Sequence, residues 1–161
     1  MCVSLPPFQR FLDAHRDDVW RFLAASVGPD AADDCFQETF LSAMRAYPRL
    51  RPDSNPRAWV LTIAHRKALD HHRARKRHAV PVATVPDVAV PAESEPTDGV
   101  WERVRELPPK QRAALLLSRI DGLAYRDVAD ALGCTEGAVK ALLFRATQSL
   151  KKGLHEFLQE D

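Results

Sequence analysis

The sequence predicts an all-α protein: two small helical domains joined by a proline-rich linker. Three observations predict it. Glycine is scarce while Ala, Leu, Arg, Glu and Asp dominate, a composition that favours helices. Apolar residues recur at three- and four-residue steps through most of the chain, which is the period of an amphipathic helix. Prolines at 81, 86, 91 and 96 then interrupt that pattern at five-residue intervals, which splits the chain. Its 161 residues, 45% of them apolar, suffice for two small cores.

The first helix carries Phe8, Phe11, Leu12, Val19, Phe22 and Leu23 on one face and stops at Gly28-Pro29. A second helix is expected from about Asp30 to Ala46. It should bury Ala32, Cys35 or Phe36, Thr39, Phe40 and Ala43. Pro48 and Pro52 bracket a loop, YPRLRPDSN. Asn55 followed by Pro56 reads as an N-cap with proline at the first helical position, opening a third helix that runs to about Arg77. The stretch from Ala79 to Pro96 is read as extended and semi-rigid, an interdomain linker rather than an edge strand, because proline repeatedly removes donors. Beyond it, Val100, Trp101, Val104 and Leu107 form a short helix ended by Pro108-Pro109. QRAALLLSRI forms the next, stopped near Asp121-Gly122. Tyr125 to Leu132 and a long helix from about Thr135 to Phe157 complete the chain.

Several function classes are disfavoured. The formal charge of +1 is nearly neutral, but it is segregated: acidic residues load the front, and Arg, Lys and His prevail from Arg49 to His78. One surface is therefore expected to meet a polyanion while another does not. Three cysteines without a CxxC pair favour reduced thiols in a cytoplasmic protein. The start lacks an apolar signal core, and no run approaches about 18 apolar residues, so neither secretion nor membrane insertion is expected. His71 and His72 are adjacent and face different ways, and no carboxylate cluster joins His65 and His72. No metal, cofactor or catalytic residue is expected.

The last two helices read as a helix-turn-helix. Ala129 supplies the small residue at the crossing, Gly133 four residues later the turn, and Val139 six further on the apolar lock. Thr135 is a plausible N-cap. Val139, Leu143, Ala146 and Leu150 form one stripe, while Gly137, Lys140, Ala141, Phe144 and Gln148 lie opposite with Arg145 at the flank. Small residues at the helix start permit close approach to DNA, and Lys140 and Arg145 suit phosphates or guanine edges. Phe144 suits a thymine methyl, or equally a neighbouring helix.

On the third helix, Trp59, Ile63, Arg66, Asp70, Arg73 and Arg77 share a stripe, with Leu61, Ala64 and Ala68 on another. An aromatic residue leading into a column of arginines suits single-stranded DNA, although tryptophan at such spacing also serves as core. Asp70 is expected to pair with Arg66 or Arg73. The preceding loop, with Arg51 and Asn55, offers groups able to read an extruded base.

The segments DAADDCFQETFLSAMRAY, NPRAWVLTIAHRKALDHHRARKR and LPPKQRAALLLSRIDGLAYRDVADALGCTEGAVKALLFRATQSLK together resemble the extracytoplasmic-function (group IV) sigma factors. That resemblance implies a sigma-2-like domain over residues 1–78, a linker over 79–97 and a sigma-4-like helix-turn-helix domain over 98–161. Asp33, Asp34, Gln37 and Glu38, in the D-D-x-x-Q-E pattern, would dock on the clamp helices of core RNA polymerase. Arg51, Asn55, Trp59, Arg66, Arg73 and Arg77 would recognise and melt the −10 element of promoter DNA. Thr135, Glu136, Gly137, Lys140, Phe144 and Arg145 would serve the −35 element, while earlier helices of that block touch the polymerase flap. The linker would thread the polymerase channel. Many relatives are held inactive by an anti-sigma protein, so such a partner is implied too. The chain departs from the family in carrying His65-Arg66 where Arg-Asn is frequent, and Ala141-Leu142 where Ser-Arg is frequent. No further C-terminal sensing domain is expected. The rival reading is a regulator that binds duplex DNA through the same helix-turn-helix without joining polymerase; the absence of βα alternation with a phospho-accepting aspartate in the front block argues against it.

Overall fold

The computed structural model describes residues 4–78 and 99–159. The expected linker at 79–97 lies outside the described residues. Helix α1 (Phe8–Val27) follows a proline pair. Helix α2 (Pro29–Ala46) begins directly after Gly28, whose φ of 87° turns the chain back on itself. Pro29 takes the first helical position, where a missing N–H costs nothing. A 3-10 turn, Tyr47–Arg49, leads through the loop to α3 (Pro56–His78). Asn55 caps α3, its Oδ1 accepting from the Ala58 N–H at 3.2 Å.

These three helices pack on one another as the first block. Val19, Phe22 and Leu23 of α1, Thr39 and Ala43 of α2, and Val60, Leu61 and Ala64 of α3 are fully buried at its centre. Each large side chain so buried contributes on the order of 2 kcal/mol. The one hydroxyl among them is satisfied locally, Thr39 donating to the Cys35 carbonyl at 2.7 Å.

The second block comprises α4 (Val100–Glu106), α5 (Pro109–Leu115), a π-helical turn (Leu116–Ile120), α6 (Tyr125–Leu132) and α7 (Glu136–Gln159). The sequence period suggested one uninterrupted helix over QRAALLLSRI. Instead its second half widens, with the Asp121 N–H reaching back five residues to the Leu116 carbonyl at 3.0 Å. Leu116 and Leu117 are thereby both buried, which a regular helix ended there would not achieve as readily. All the expected helices are present, and the described residues hold no strand.

The two blocks touch. α3 lies against α6, and α1 against α4 and the π turn, so a single apolar cluster runs through both. The sequence reading did not foresee this seam. At its centre is Arg112, only 5% exposed.

Candidate nucleic-acid interface

α6 and α7 form the helix-turn-helix with the anticipated steric fit. Ala129 and Val139 are buried at the crossing, and Gly133 occupies the left-handed region at φ 65°. The turn is closed by Cys134 N–H donating to the Ala129 carbonyl at 3.0 Å. Thr135 caps α7, its hydroxyl accepting from the Ala138 N–H at 3.1 Å. That engagement makes Thr135 first a helix start.

α7 divides as its period requires. Val139, Leu143 and Ala146 are buried and Leu150 partly so, while Glu136, Gly137, Lys140, Ala141, Phe144, Arg145 and Gln148 are exposed. Phe144 is 65% exposed and covers no neighbouring helix. An exposed phenylalanine between two exposed cations is a surface suited to a DNA groove.

On α3 the structure separates the arginine column from the core. Leu61, Ala64 and Ala68 are buried, and Arg66, Arg73, Arg75, Lys76 and Arg77 face solvent. Asp70, expected to pair with Arg66 or Arg73, forms an ion pair with neither among the described residues. All three side chains are solvated, where such a pair gains little against the entropy of holding it. Trp59 sits half-buried at the top of the column. Its ring meets Phe11 edge-on at 5.7 Å and Tyr47 at 6.5 Å. It thus belongs to an aromatic cluster with Phe8 and keeps part of its surface exposed.

Between that cluster and the loop lies a cavity of about 190 Å³, lined among others by Leu5, Phe11, His15, Tyr47, Leu50 and Arg51. The Tyr47 hydroxyl donates to the Pro6 carbonyl at 2.6 Å, tying the N-terminal segment over it. The Nδ1 of His15 is buried without a hydrogen-bond partner, and burial lowers its pKa below the ordinary histidine value. The loop is locally braced: Ser54 donates to the Arg51 carbonyl at 2.6 Å, and Arg51 pairs loosely with Asp53 at 3.2 Å. Arg57, at the start of α3, donates to Asp18 of α1 at 2.8 Å. Burial works against the Asp18 carboxylate, but the bonds from Arg57 and Arg21 outweigh it and hold its pKa below the ordinary range. Sequence reasoning missed Asp18, Arg57 and His15, because pairing across helices leaves no periodic signal.

The acidic face of α2 is open. Asp33, Asp34, Gln37 and Glu38 are exposed, followed on the same helix by Leu41 and Met44, each 49% exposed. Cys35 points the other way and is buried; burial first, then Glu38 and Asp34, raise its thiol pKa. Among the described residues no three His, Cys, Asp or Glu side chains converge as a metal site requires, and no helix is long and apolar enough to cross a membrane.

Comparison with known proteins decides what these surfaces belong to. The family model for sigma-70 region 2 matches residues 11–78, and that for sigma-70 region 4 matches residues 98–150. The ECF RNA polymerase sigma factor SigC of Mycobacterium tuberculosis is 35% identical over 148 residues, covering 88% of this chain and 80% of the relative. The chain belongs to the extracytoplasmic-function sigma factors. A second sigma factor, CarQ of Myxococcus xanthus, is 31% identical over 157 residues, 92% of this chain and 90% of that one. Among solved structures, the sigma factor RpoE of Bartonella quintana, crystallised with the anti-sigma factor NepR, superposes with a TM-score of 0.77 at 25% identity, over 92% of this chain and 96% of that one.

As a sigma factor the chain directs promoter-specific initiation by core RNA polymerase. The region 2 match in the front block argues against a regulator acting apart from polymerase.

Proposed function

We propose that three exposed surfaces divide the work of this sigma factor. α2 grips polymerase through Asp33, Asp34, Gln37 and Glu38. The loop and α3 open and hold the −10 element through Arg51, Asn55, Trp59, Arg66, Arg73 and Arg77. α7 reads the −35 element through Glu136, Gly137, Lys140, Phe144 and Arg145, with Thr135 setting its start. The observation that carries this reading is the clean division of α7, where every residue assigned to DNA after the cap is exposed over a fully buried Val139 and Ala146.

The −10 surface gains a feature from the cavity beside the loop. An extruded base enters between Tyr47 and Arg51 and stacks on the aromatic wall. Asn55 keeps its side-chain oxygen on the α3 cap, which leaves its amide nitrogen as the donor. Free in solution, the chain binds DNA weakly, since one short helix and a few phosphate contacts supply little beyond the salt-dependent attraction. Docking on polymerase in the cytoplasm places both readers at once and raises their effective concentration. An anti-sigma protein as the inhibitory partner is supported by the likeness to RpoE, which was crystallised with one.

In vitro transcription with sigma-free bacterial core polymerase, on a pool of genomic fragments, tests the whole reading. Discrete start sites appearing only with this protein are expected, and their upstream sequences give both elements. Silence, together with tight sequence-specific binding of duplex DNA by the protein alone, overturns it in favour of a free-standing regulator. For α2, the double reversal Asp34→Lys and Glu38→Lys is expected to weaken capture of core polymerase at least tenfold, about 1.4 kcal/mol; undiminished capture refutes the docking assignment.

A further inference from the structure

Two separate parts of the chain build the cavity of about 190 Å³ beside the loop. Phe11 and Ala14 of α1, with Tyr47 and Leu50 ahead of the loop, make one wall. The other is a short strap before α1, where Ser4, Leu5 and Pro6 line the space. The bond from the Tyr47 hydroxyl to the Pro6 carbonyl, 2.6 Å long, fastens the strap to the first wall. Leu5 is partly buried and packs against the apolar cluster. The strap carries none of the residues assigned to the −10 element.

Size and lining restrict what the cavity can hold. A cavity of roughly 150 Å³ takes one benzene ring. About 190 Å³ therefore accommodates a single six-membered ring with its substituents, and not both rings of a purine. The apolar lining is Leu5, Phe11, Ala14, Leu50, Pro52 and Pro56. Apart from the His15 ring, whose Nδ1 is buried, the polar lining is rich in donors and poor in acceptors. Arg10 and Arg51 have only N–H groups to offer, and both are exposed. The Arg51–Asp53 pair is solvated on both sides, so it yields readily to another acceptor. The hydroxyls of Ser4, Tyr47 and Ser54 already donate to the carbonyls of Leu5, Pro6 and Arg51. Among the described residues, no carboxylate or carboxamide side chain lines the space.

We propose that this cavity selects thymine over cytosine at the extruded position of the −10 element, with Leu5 of the strap reading the methyl group. The inference rests on the reading of the cavity as the site that accepts the extruded base. Thymine offers a carbonyl oxygen at C4 and a methyl at C5, where cytosine offers an amino donor and no methyl. The methyl belongs with Leu5 and its apolar neighbours, and the oxygen with the arginine donors. Cytosine in the same place would bury its amino group without a strong acceptor, which costs it affinity. Charge favours DNA as the occupant, since Arg10, Arg49 and Arg51 are exposed in and beside the lining.

Base replacement in a promoter mapped with the full chain and core polymerase tests this. In the non-template strand of the −10 element, each thymine is exchanged in turn for deoxyuridine, which lacks only the methyl group, and for cytosine. At one position, open-complex formation is expected to fall about fourfold with deoxyuridine, the effect of one buried methyl group. Cytosine there should lower it roughly tenfold or more. Leu5→Ala should equalise thymine and deoxyuridine at that position and at no other. Tyr47→Phe keeps the ring but removes the bond to Pro6, and should shrink the same difference. Ratios between templates are compared within each variant, so a general loss of activity does not enter, and circular dichroism checks the helices. A −10 element in which no thymine responds to deoxyuridine overturns the thymine pocket. A methyl effect that survives Leu5→Ala undiminished overturns the role of the strap. If Leu5→Ala instead alters the preference among other bases at one position, the base-accepting cavity stands and the choice of thymine falls. Base preferences unchanged at every −10 position in both variants overturn the cavity reading together with this one.

Discussion

Phe144 separates recognition from folding more cleanly than any other side chain of this protein. At 65% exposure it packs little, so Phe144→Ala should shift stability by no more than about 0.5 kcal/mol. The same substitution removes the apolar contact offered to a base edge, and −35-dependent transcription should fall several-fold while the thermal midpoint stays put. A matching fall in both would show that the ring serves the fold. Lys140→Ala is expected to weaken −35 use likewise, one exposed turn earlier. Thr135→Ala should behave in the opposite way. Its hydroxyl holds the Ala138 N–H, so its loss costs about 1 kcal/mol of stability before any effect on DNA. Urea denaturation beside promoter assays distinguishes the three.

At the scale of elements, the turn between α6 and α7 sets how the reading helix is presented. Gly133 sits at φ 65°, and a Cβ built there meets nothing within 4 Å. Substitution is thus resisted by backbone strain alone. Gly133→Ala should cost about 1 kcal/mol, and Gly133→Asn less, since asparagine tolerates the left-handed region. Equal losses from both would mean that crowding, not backbone geometry, sets the requirement. This motif was legible in the sequence because each of its demands is local: a small residue, a glycine and an apolar lock at fixed offsets. The caps at Asn55 and Thr135, the arginine column and the buried stripes of α3 and α7 were legible for the same reason. The π turn was not. LLSRI continues the helical period of QRAAL, and only the need to bury both Leu116 and Leu117 and then turn into Leu123 widens it. Nor was the Asp18–Arg57 pair, which joins residues 39 positions apart.

The molecule as a whole is set by its seam, where sequence reading was weakest: Asp121 was read as a helix stop, Arg112 was given no role, and His65 and His72 were weighed only as a metal pair and set aside. Their burial gives the chain a pH response whose sign follows from each group. Burial raises the Asp121 pKa from 3.8 to about 7, so its folded form holds a proton more tightly than its unfolded form. Its contribution to stability is full below about pH 4 and is lost as pH rises through about 7. Burial lowers His65 and His72 from 6.5 to about 4, with the Arg112 charge adding to the effect at His72. Their contribution is full above pH 6.5 and lost as pH falls through about 4. The two trends oppose each other, so the unaltered protein hides them, and a variant is needed to separate them. Asp121→Asn keeps the shape of the protonated carboxyl and has no proton to lose. Its thermal midpoint should match that of the unaltered chain below about pH 4, rise above it progressively between about pH 4 and 7, and stay above it by a constant margin at higher pH. Midpoints that stay parallel between about pH 4 and 7 would show that Asp121 carries its charge in the folded protein at no cost, with water or a partner inside the seam.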